Sequence, residues 1–217
     1  MGTEDEKIIM IAADCTGHGV PGAFTSMLGI SMLNDIIGKE STTSPDIILN
    51  ELRNNIVRSL KQTPDGESKD GMDIAILTIN RKNNTLDFAG AMNPLLIIRD
   101  ANLDNISDSY MEEGTFRLYE IKGDKMPAAI HDKMDPFTRT TVKVKPNDKF
   151  YMLSDGYEDQ FGGPKQHKFM RKNLKKLLLQ IHHLTMAEQK QCLEKAMEEW
   201  KGDLPQVDDI LVIGFAV

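Results

Sequence analysis

One stretch constrains this chain more than any other. In IIMIAADCTGHGVPGAF, residues 8–24, an apolar run stops on an aspartate, turns through Gly-His-Gly and restarts as a helix behind a proline. Residues 7–13 carry apolar side chains on both faces, as a strand covered on both sides does. Residues 21–37 then place Phe24, Met27, Leu28, Leu33 and Ile37 near helical spacing, with Pro21 in the first turn, where its missing N–H costs nothing. The reading is strand, turn, helix, with Asp14 at the strand end.

A second helix starts with Ser44 as N-cap and Pro45 behind it, shows Ile48, Leu49, Leu52, Ile56 and Leu60 on one face, and ends before Thr63-Pro64. Residues 64–71 read as a mobile loop. MDIAILTI, TLDFAGA and PLLIIRD follow, with Lys82-Asn83-Asn84 as a hairpin turn, and predict an antiparallel meander. Further strands are expected at 115–121, 138–145 and 149–153, helices over 165–181 and 185–201, and DILVIGFAV as the last strand. No repeat or linker divides the 217 residues, so one domain over 1–217 is expected. The net charge of −7 is spread along the chain and speaks against nucleic acid as a partner. No apolar run approaches the roughly 18 residues of a membrane helix. Cys15 and Cys192 lie far apart with no signal-like start before them, which suits reduced thiols in a cytoplasmic protein.

Three strands end or begin at acidic residues: Asp14, Asp155 after FYMLS, and Asp208-Asp209 before ILVIGFAV. Carboxylates at strand ends sit on rigid elements and face the rim of a sheet, where a metal or substrate site can be built. They converge only if their strands are neighbours. If they do converge, they repel one another unless hard cations such as Mg²⁺ or Mn²⁺ neutralise them. Two such ions about 3.5 to 4 Å apart, sharing an acidified water, suit hydrolysis at a phosphoryl or acyl centre. The plainer alternative is that an aspartate at a strand-to-helix turn is an N-cap and that Asp-Gly is a β-turn. Spacing alone leaves both open.

DCTGHGVPGAF, FAGAMNPLLIIRD, LSDGYEDQFGG and VDDILVIGF, in this order and at these intervals, resemble the SpoIIE/RsbU-like branch of the metal-dependent PP2C protein phosphatases, from about residue 7 to the C-terminus. The resemblance implies an α+β fold, a β-sandwich of two mainly antiparallel sheets flanked by helices. It implies Asp14 as the aspartate bridging two Mn²⁺ or Mg²⁺ ions, the Cys15 backbone carbonyl as a further ligand with an incidental thiol, and Asp155 and Asp208 as the remaining metal-binding, catalytic carboxylates. Asp209 then caps or hydrogen-bonds. Asp159 matches an accessory third-metal position, although its partner acid is missing from AGAMN. Gly17, His18 and Gly19 shape the loop beside the ions; His18 is either a structural hydrogen-bonding residue or a catalytic one, and oxygen-loving cations argue against it as a ligand. Lys165, His167 and Lys168 either steer a phosphoprotein or form a solvated loop.

Family members carry a Gly-Asp-Phe-Tyr/Trp strand ahead of the point where this sequence begins, and TEDEK at 3–7 does not replace it; Glu4, Asp5 and Glu6 are out of place. The fold is therefore expected to lack its first strand, leaving a sheet edge open to a homodimer or strand exchange. The implied function is hydrolysis of phosphoserine and phosphothreonine by a metal-bridging hydroxide. The implied substrate is a phosphorylated, STAS-like anti-sigma-factor antagonist in bacterial partner switching. The parent protein is expected to carry an N-terminal sensory module and, in some cases, a membrane anchor. The competing expectation is a catalytically weak domain that binds a regulatory protein without a full metal site.

Overall fold

The computed structural model describes residues 7–17, 19–39, 43–66, 69–103 and 111–217. In chain order, β1 (Lys7–Cys15) is followed by α1 (Gly19–Lys39), α2 (Pro45–Ser59), β2 (Met72–Asn80), β3 (Thr85–Ala91) and β4 (Leu95–Asp100). Next come β5 (Met111–Glu113), β6 (Phe116–Ile121), β7 (Thr140–Lys143), β8 (Lys149–Leu153) and the one-turn α3 (Gly156–Asp159). The chain then forms β9 (Phe161–Gly162), β10 (His167–Lys168), α4 (Arg171–Ile181), α5 (Met186–Lys201) and β11 (Val212–Ala216). These elements form two compact units, one of residues up to Pro94 with Lys122–Val144, the other of Leu95–Ile121 with Lys145–Val217.

The first unit holds a four-stranded antiparallel sheet in the order β1-β2-β3-β7. Pro45 opens α2, Asp46 sits in its first turn, and Ile48, Leu49, Leu52 and Ile56 bury one face. That face packs on Ile74, Ile76 and Ala89 of the sheet and on Phe137. Arg53 is buried among them, its guanidinium 4.6 Å over the Phe137 ring and donating to the Asp135 carbonyl at 2.9 Å. The hairpin turn before β3 is completed by Asn84 at φ +49°, a conformation asparagine tolerates.

The second unit holds a five-stranded antiparallel sheet in the order β11-β8-β4-β6-β5. Its core joins Leu96, Ile98, Tyr151 and Leu153 of the sheet to Leu174 and Leu178 of α4 and Leu193 and Met197 of α5. A capping box at Thr185 and Glu188 fixes the start of α5. Arg99 and Asp148 form a buried two-point ion pair, with Nε–Oδ1 at 2.8 Å and Nη2–Oδ2 at 2.6 Å.

Several sequence expectations change. The meander does not continue into β4, which pairs with β6 and β8; β7 takes the place beside β3. Met92 turns the chain at φ +64° and Pro94 offers no N–H, so the strand leaves its sheet there. The helix expected over 165–181 begins at Arg171, because residues 161–162 and 167–168 pair as a short hairpin instead. The last strand starts at Val212 and the expected strand 138–145 narrows to Thr140–Lys143, while α1 starts at Gly19, ahead of the expected residue 21. His18, Glu4, Asp5 and Glu6 lie outside the described residues.

Candidate metal centre

In the first unit Asp14 lies one residue before the end of β1 and pairs directly opposite Asp73 of β2. Directly opposed residues of an antiparallel pair share a face, with Cβ atoms about 4.5–5.5 Å apart. Two carboxylates thus share the rim of this sheet. The strand end is clamped: the Thr16 N–H donates to the Gly71 carbonyl at 3.0 Å and the Gly71 N–H to Thr16 Oγ1 at 2.7 Å. The turn then needs glycine. Gly17 and Gly19 have φ of +93° and +65°, and a Cβ on Gly22 would stand 2.6 Å from the Gly17 carbonyl oxygen. Burial pushes the Cys15 thiol above its usual range and the Asp14 charge adds to this, against a hydrogen bond with Ser26.

In the second unit β8 and β11 are hydrogen-bonded neighbours, so the acids following one and preceding the other meet at one sheet end. Ser154 ties the two segments. Its N–H donates to the Leu211 carbonyl at 3.0 Å, its hydroxyl donates to the Asp209 carbonyl at 3.1 Å, and the Leu211 N–H donates to that hydroxyl at 3.0 Å. Asp155 precedes α3 without making a capping hydrogen bond, so the N-cap alternative is not realised there. Its carboxyl is pushed above the ordinary carboxylate value, first by burial and then by the charges of Asp208 and Asp159; Arg171 opposes them. Asp208 Oδ1 accepts from the Asp209 N–H at 2.8 Å.

The structure therefore brings Asp155, Asp208 and Asp159 into one field, and places Asp14 beside Asp73 in the other unit. Among the described residues no three histidine, cysteine or acidic side chains are gathered tightly enough to enclose a metal ion. Asp159 is engaged by Lys168 at 2.8 Å. His167 and Lys168 belong to β10, and the His167 ring lies 5.1 Å from that of Trp200. The donors available to an ion are carboxylate and carbonyl oxygens, a set suited to a hard divalent cation, and such a cation would relieve the repulsion from Asp208 and Asp159 that adds to burial in raising Asp155. Sequence reasoning missed Asp73. Its signal was an acid inside MDIAILTI, where every neighbour but Thr78 is apolar.

The sequence model of the family described as Stage II sporulation protein E (SpoIIE) matches residues 4–217. The SiaA PP2C domain of Pseudomonas aeruginosa is similar with a TM-score of 0.82 at 25% identity, over 100% of this chain and 78% of that one. The SpoIIE phosphatase domain of Bacillus subtilis with a fragment of its regulatory domain gives 0.68 at 17% identity, over 99% of this chain and 54% of that one. The catalytic domain of the serine/threonine phosphatase PstP, in complex with 2 manganese ions, gives 0.58 at 18% identity, over 100% of this chain and 94% of that one. No curated protein sequence gives a significant match. The likenesses span the whole chain and carry the expected α+β fold, antiparallel sheets flanked by helices.

Proposed function

Because the chain belongs to the SpoIIE family and is homologous to PP2C-type serine/threonine phosphatases, we propose that it hydrolyses phosphoserine and phosphothreonine on a partner protein. The observation that carries the reading is the acidic pair at the joined ends of β8 and β11, where Asp155 is raised by burial and by Asp208. Mn²⁺ or Mg²⁺, two ions by analogy with PstP, would be held by Asp14, the Cys15 carbonyl, Asp155 and Asp208, and when bound would acidify water and offset phosphoryl charge. The chain's own residues supply the placement. Ser154 locks the Asp155 turn to the Asp208-Asp209 segment, and Gly156 permits their close approach. Asp73, opposite Asp14, adds a further carboxylate to the rim of its sheet. Asp159 is held by Lys168 and serves the acid cluster only if that pair opens.

The substrate in this reading is a phosphorylated, STAS-like anti-sigma-factor antagonist, and a sensory module in the parent protein controls the domain. It acts in the cytoplasm. Among the described residues no helix is long and apolar enough to cross a membrane. The test is hydrolysis of p-nitrophenyl phosphate and of a phosphoserine antagonist protein with Mn²⁺, with EDTA, and with Asp14→Asn, Asp155→Asn and Asp208→Asn. Activity that needs Mn²⁺ and falls by about 10²-fold or more in each variant supports the reading. A metal-independent rate that survives all three overturns it.

A second reading is favoured by one observation, the absence among the described residues of three ligands gathered around an ion. In it the domain binds a regulatory protein and turns over phosphate esters weakly. Retained antagonist binding without Mn²⁺-dependent hydrolysis selects this reading.

A further inference from the structure

In the first unit Gln62 is a buried side-chain amide, 7% exposed, whose two ends are bonded to two different segments. Its Nε2 donates to the Asp70 carbonyl at 2.6 Å, and its Oε1 accepts the Ile130 N–H at 3.0 Å. The end of α2 fixes where this side chain starts. Lys61 turns the chain at φ +50°, the Lys61 N–H donates to the Arg58 carbonyl at 3.3 Å, and the Gln62 N–H donates to the Val57 carbonyl at 2.9 Å. Those two bonds are the pair that closes a helix in a Schellman motif.

From Asp70 the contacts run on to the acids. Gly71, next in the chain, holds Thr16 through both its N–H and its carbonyl. Thr16 closely follows Asp14, and Gly71 closely precedes Asp73, the residue opposite Asp14. Gly71 has no latitude of its own: a Cβ there would stand 2.4 Å from the Ala129 Cβ and 2.9 Å from the Ala128 carbonyl oxygen. The Ala128 N–H donates to the Met72 carbonyl at 2.8 Å. The entry to β2 is thus wedged between the Thr16 turn and residues 128–130, and Gln62 bonds to both the entry and Ile130.

Burying an amide costs free energy unless its ends are bonded, and an apolar side chain would fill the same space without that cost. What the amide adds is direction and spacing, because a hydrogen bond holds its partners within a few tenths of an ångström and an apolar contact does not. We propose, on the reading that Asp14 binds Mn²⁺, that Gln62 is a positioning residue of the metal centre, which through Asp70, Gly71 and Thr16 keeps Asp14 opposite Asp73 in the geometry that takes the ion.

Two variants test this. Gln62→Glu keeps an acceptor for the Ile130 N–H but sets a carboxylate oxygen against the Asp70 carbonyl, and Gln62→Met removes both bonds at similar volume without adding charge; if either fails to fold, the other carries the measurement. Mn²⁺ affinity by titration calorimetry is expected to weaken about tenfold in both, the scale on which partners behind a metal ligand act. In the metal-free proteins, amide exchange at Thr16 and Gly71 should speed up about tenfold, while Ile76 and Leu77 in the middle of β2 keep their rates. Turnover of p-nitrophenyl phosphate should fall at limiting Mn²⁺ and return to within about threefold of the parent at saturating Mn²⁺, a rescue that an amide serving stability alone would not give. If the parent protein binds Mn²⁺ and both variants bind it equally well, the role of Gln62 is overturned and the metal reading stands. A parent protein that binds no Mn²⁺ overturns both. Faster exchange that spreads to Ile76 and Leu77 also overturns the proposal and assigns Gln62 to the stability of the whole sheet.

Discussion

Gly156 and Asp209 touch backbone to backbone: a Cβ placed on Gly156 would stand 2.2 Å from the Asp209 carbonyl oxygen, closer than any side-chain carbon can approach. The contact presses the turn carrying Asp155 against the segment carrying Asp208. Gly156→Ala must therefore move one segment off the other, and no flexible side chain is available to give way. The expected result is a loss of about 1–3 kcal/mol in urea unfolding and weaker Mn²⁺ binding by calorimetry. An alanine variant with unchanged stability and unchanged Mn²⁺ affinity would show that the two segments are not held by this contact.

The raised carboxyl of Asp155 gives a pH signature in the metal-free protein. A carboxyl whose folded value lies above its ordinary 3.8 binds its proton more tightly in the folded state. Its contribution is therefore most favourable below the ordinary value, and it declines as pH rises through the raised value. At neutral pH the ionised group is a liability caused by burial and by Asp208 and Asp159. Asp155→Asn should raise the urea midpoint at about pH 7 without raising it near pH 3, and should abolish stabilisation by added Mn²⁺. An equal shift at both pH values would remove electrostatics as the cause.

Where local pattern and packing agree, the sequence is readable. The strand of residues 7–13 and the α2 face of Ile48, Leu49, Leu52 and Ile56 are found at their expected positions. Among the described residues, however, β1 is an edge strand in which Ala12 alone is buried, not a strand covered on both sides, and the Ser44 hydroxyl donates to Asp46 instead of capping the α2 main chain. The β3–β4 junction was not readable, because a short connection between two apolar runs ordinarily makes a hairpin. The left-handed backbone at Met92, a residue that rarely adopts it, together with Pro94, which offers no N–H, sends β4 into another sheet. The helix expected from 165 failed for a related reason. Hairpin pairing of Phe161–Gly162 with His167–Lys168 satisfies main-chain groups that a helix would otherwise have claimed. At the acids, neighbouring strands β8 and β11 explain why Asp155 and Asp208 meet, a relationship of topology that no local window contains. Asp73 was overlooked because only the register of β1 on β2 sets it opposite Asp14.

Cys15 separates a backbone ligand from a thiol one. Burial keeps its thiol protonated at neutral pH, and Asp14 reinforces this, so the sulfur is poorly suited to bind a cation. If the residue serves the site through its carbonyl, Cys15→Ala should keep Mn²⁺ affinity and p-nitrophenyl phosphate turnover within about threefold, whereas Asp14→Asn loses both. Iodoacetamide should modify Cys15 more slowly than a free model thiol. A Cys15→Ala protein that no longer binds Mn²⁺ would place the thiol among the ligands.

The Arg99–Asp148 pair is a test of structure separate from the acids. The two side chains are 3% and 0% exposed, and Asp148 Oδ2 also accepts the Lys145 N–H at 2.8 Å. Removing the carboxylate alone leaves a buried guanidinium and an amide without their acceptor, the costly way to break such a pair. Asp148→Ala should therefore lower stability by about 3–5 kcal/mol in urea unfolding. Replacing both residues, Arg99→Met with Asp148→Leu, should recover much of that loss, because an apolar pair of similar volume carries no desolvation penalty. If the double variant is as unstable as Asp148→Ala, the contribution of this pair lies in its hydrogen bonds to the main chain and not in the avoidance of an unpaired charge.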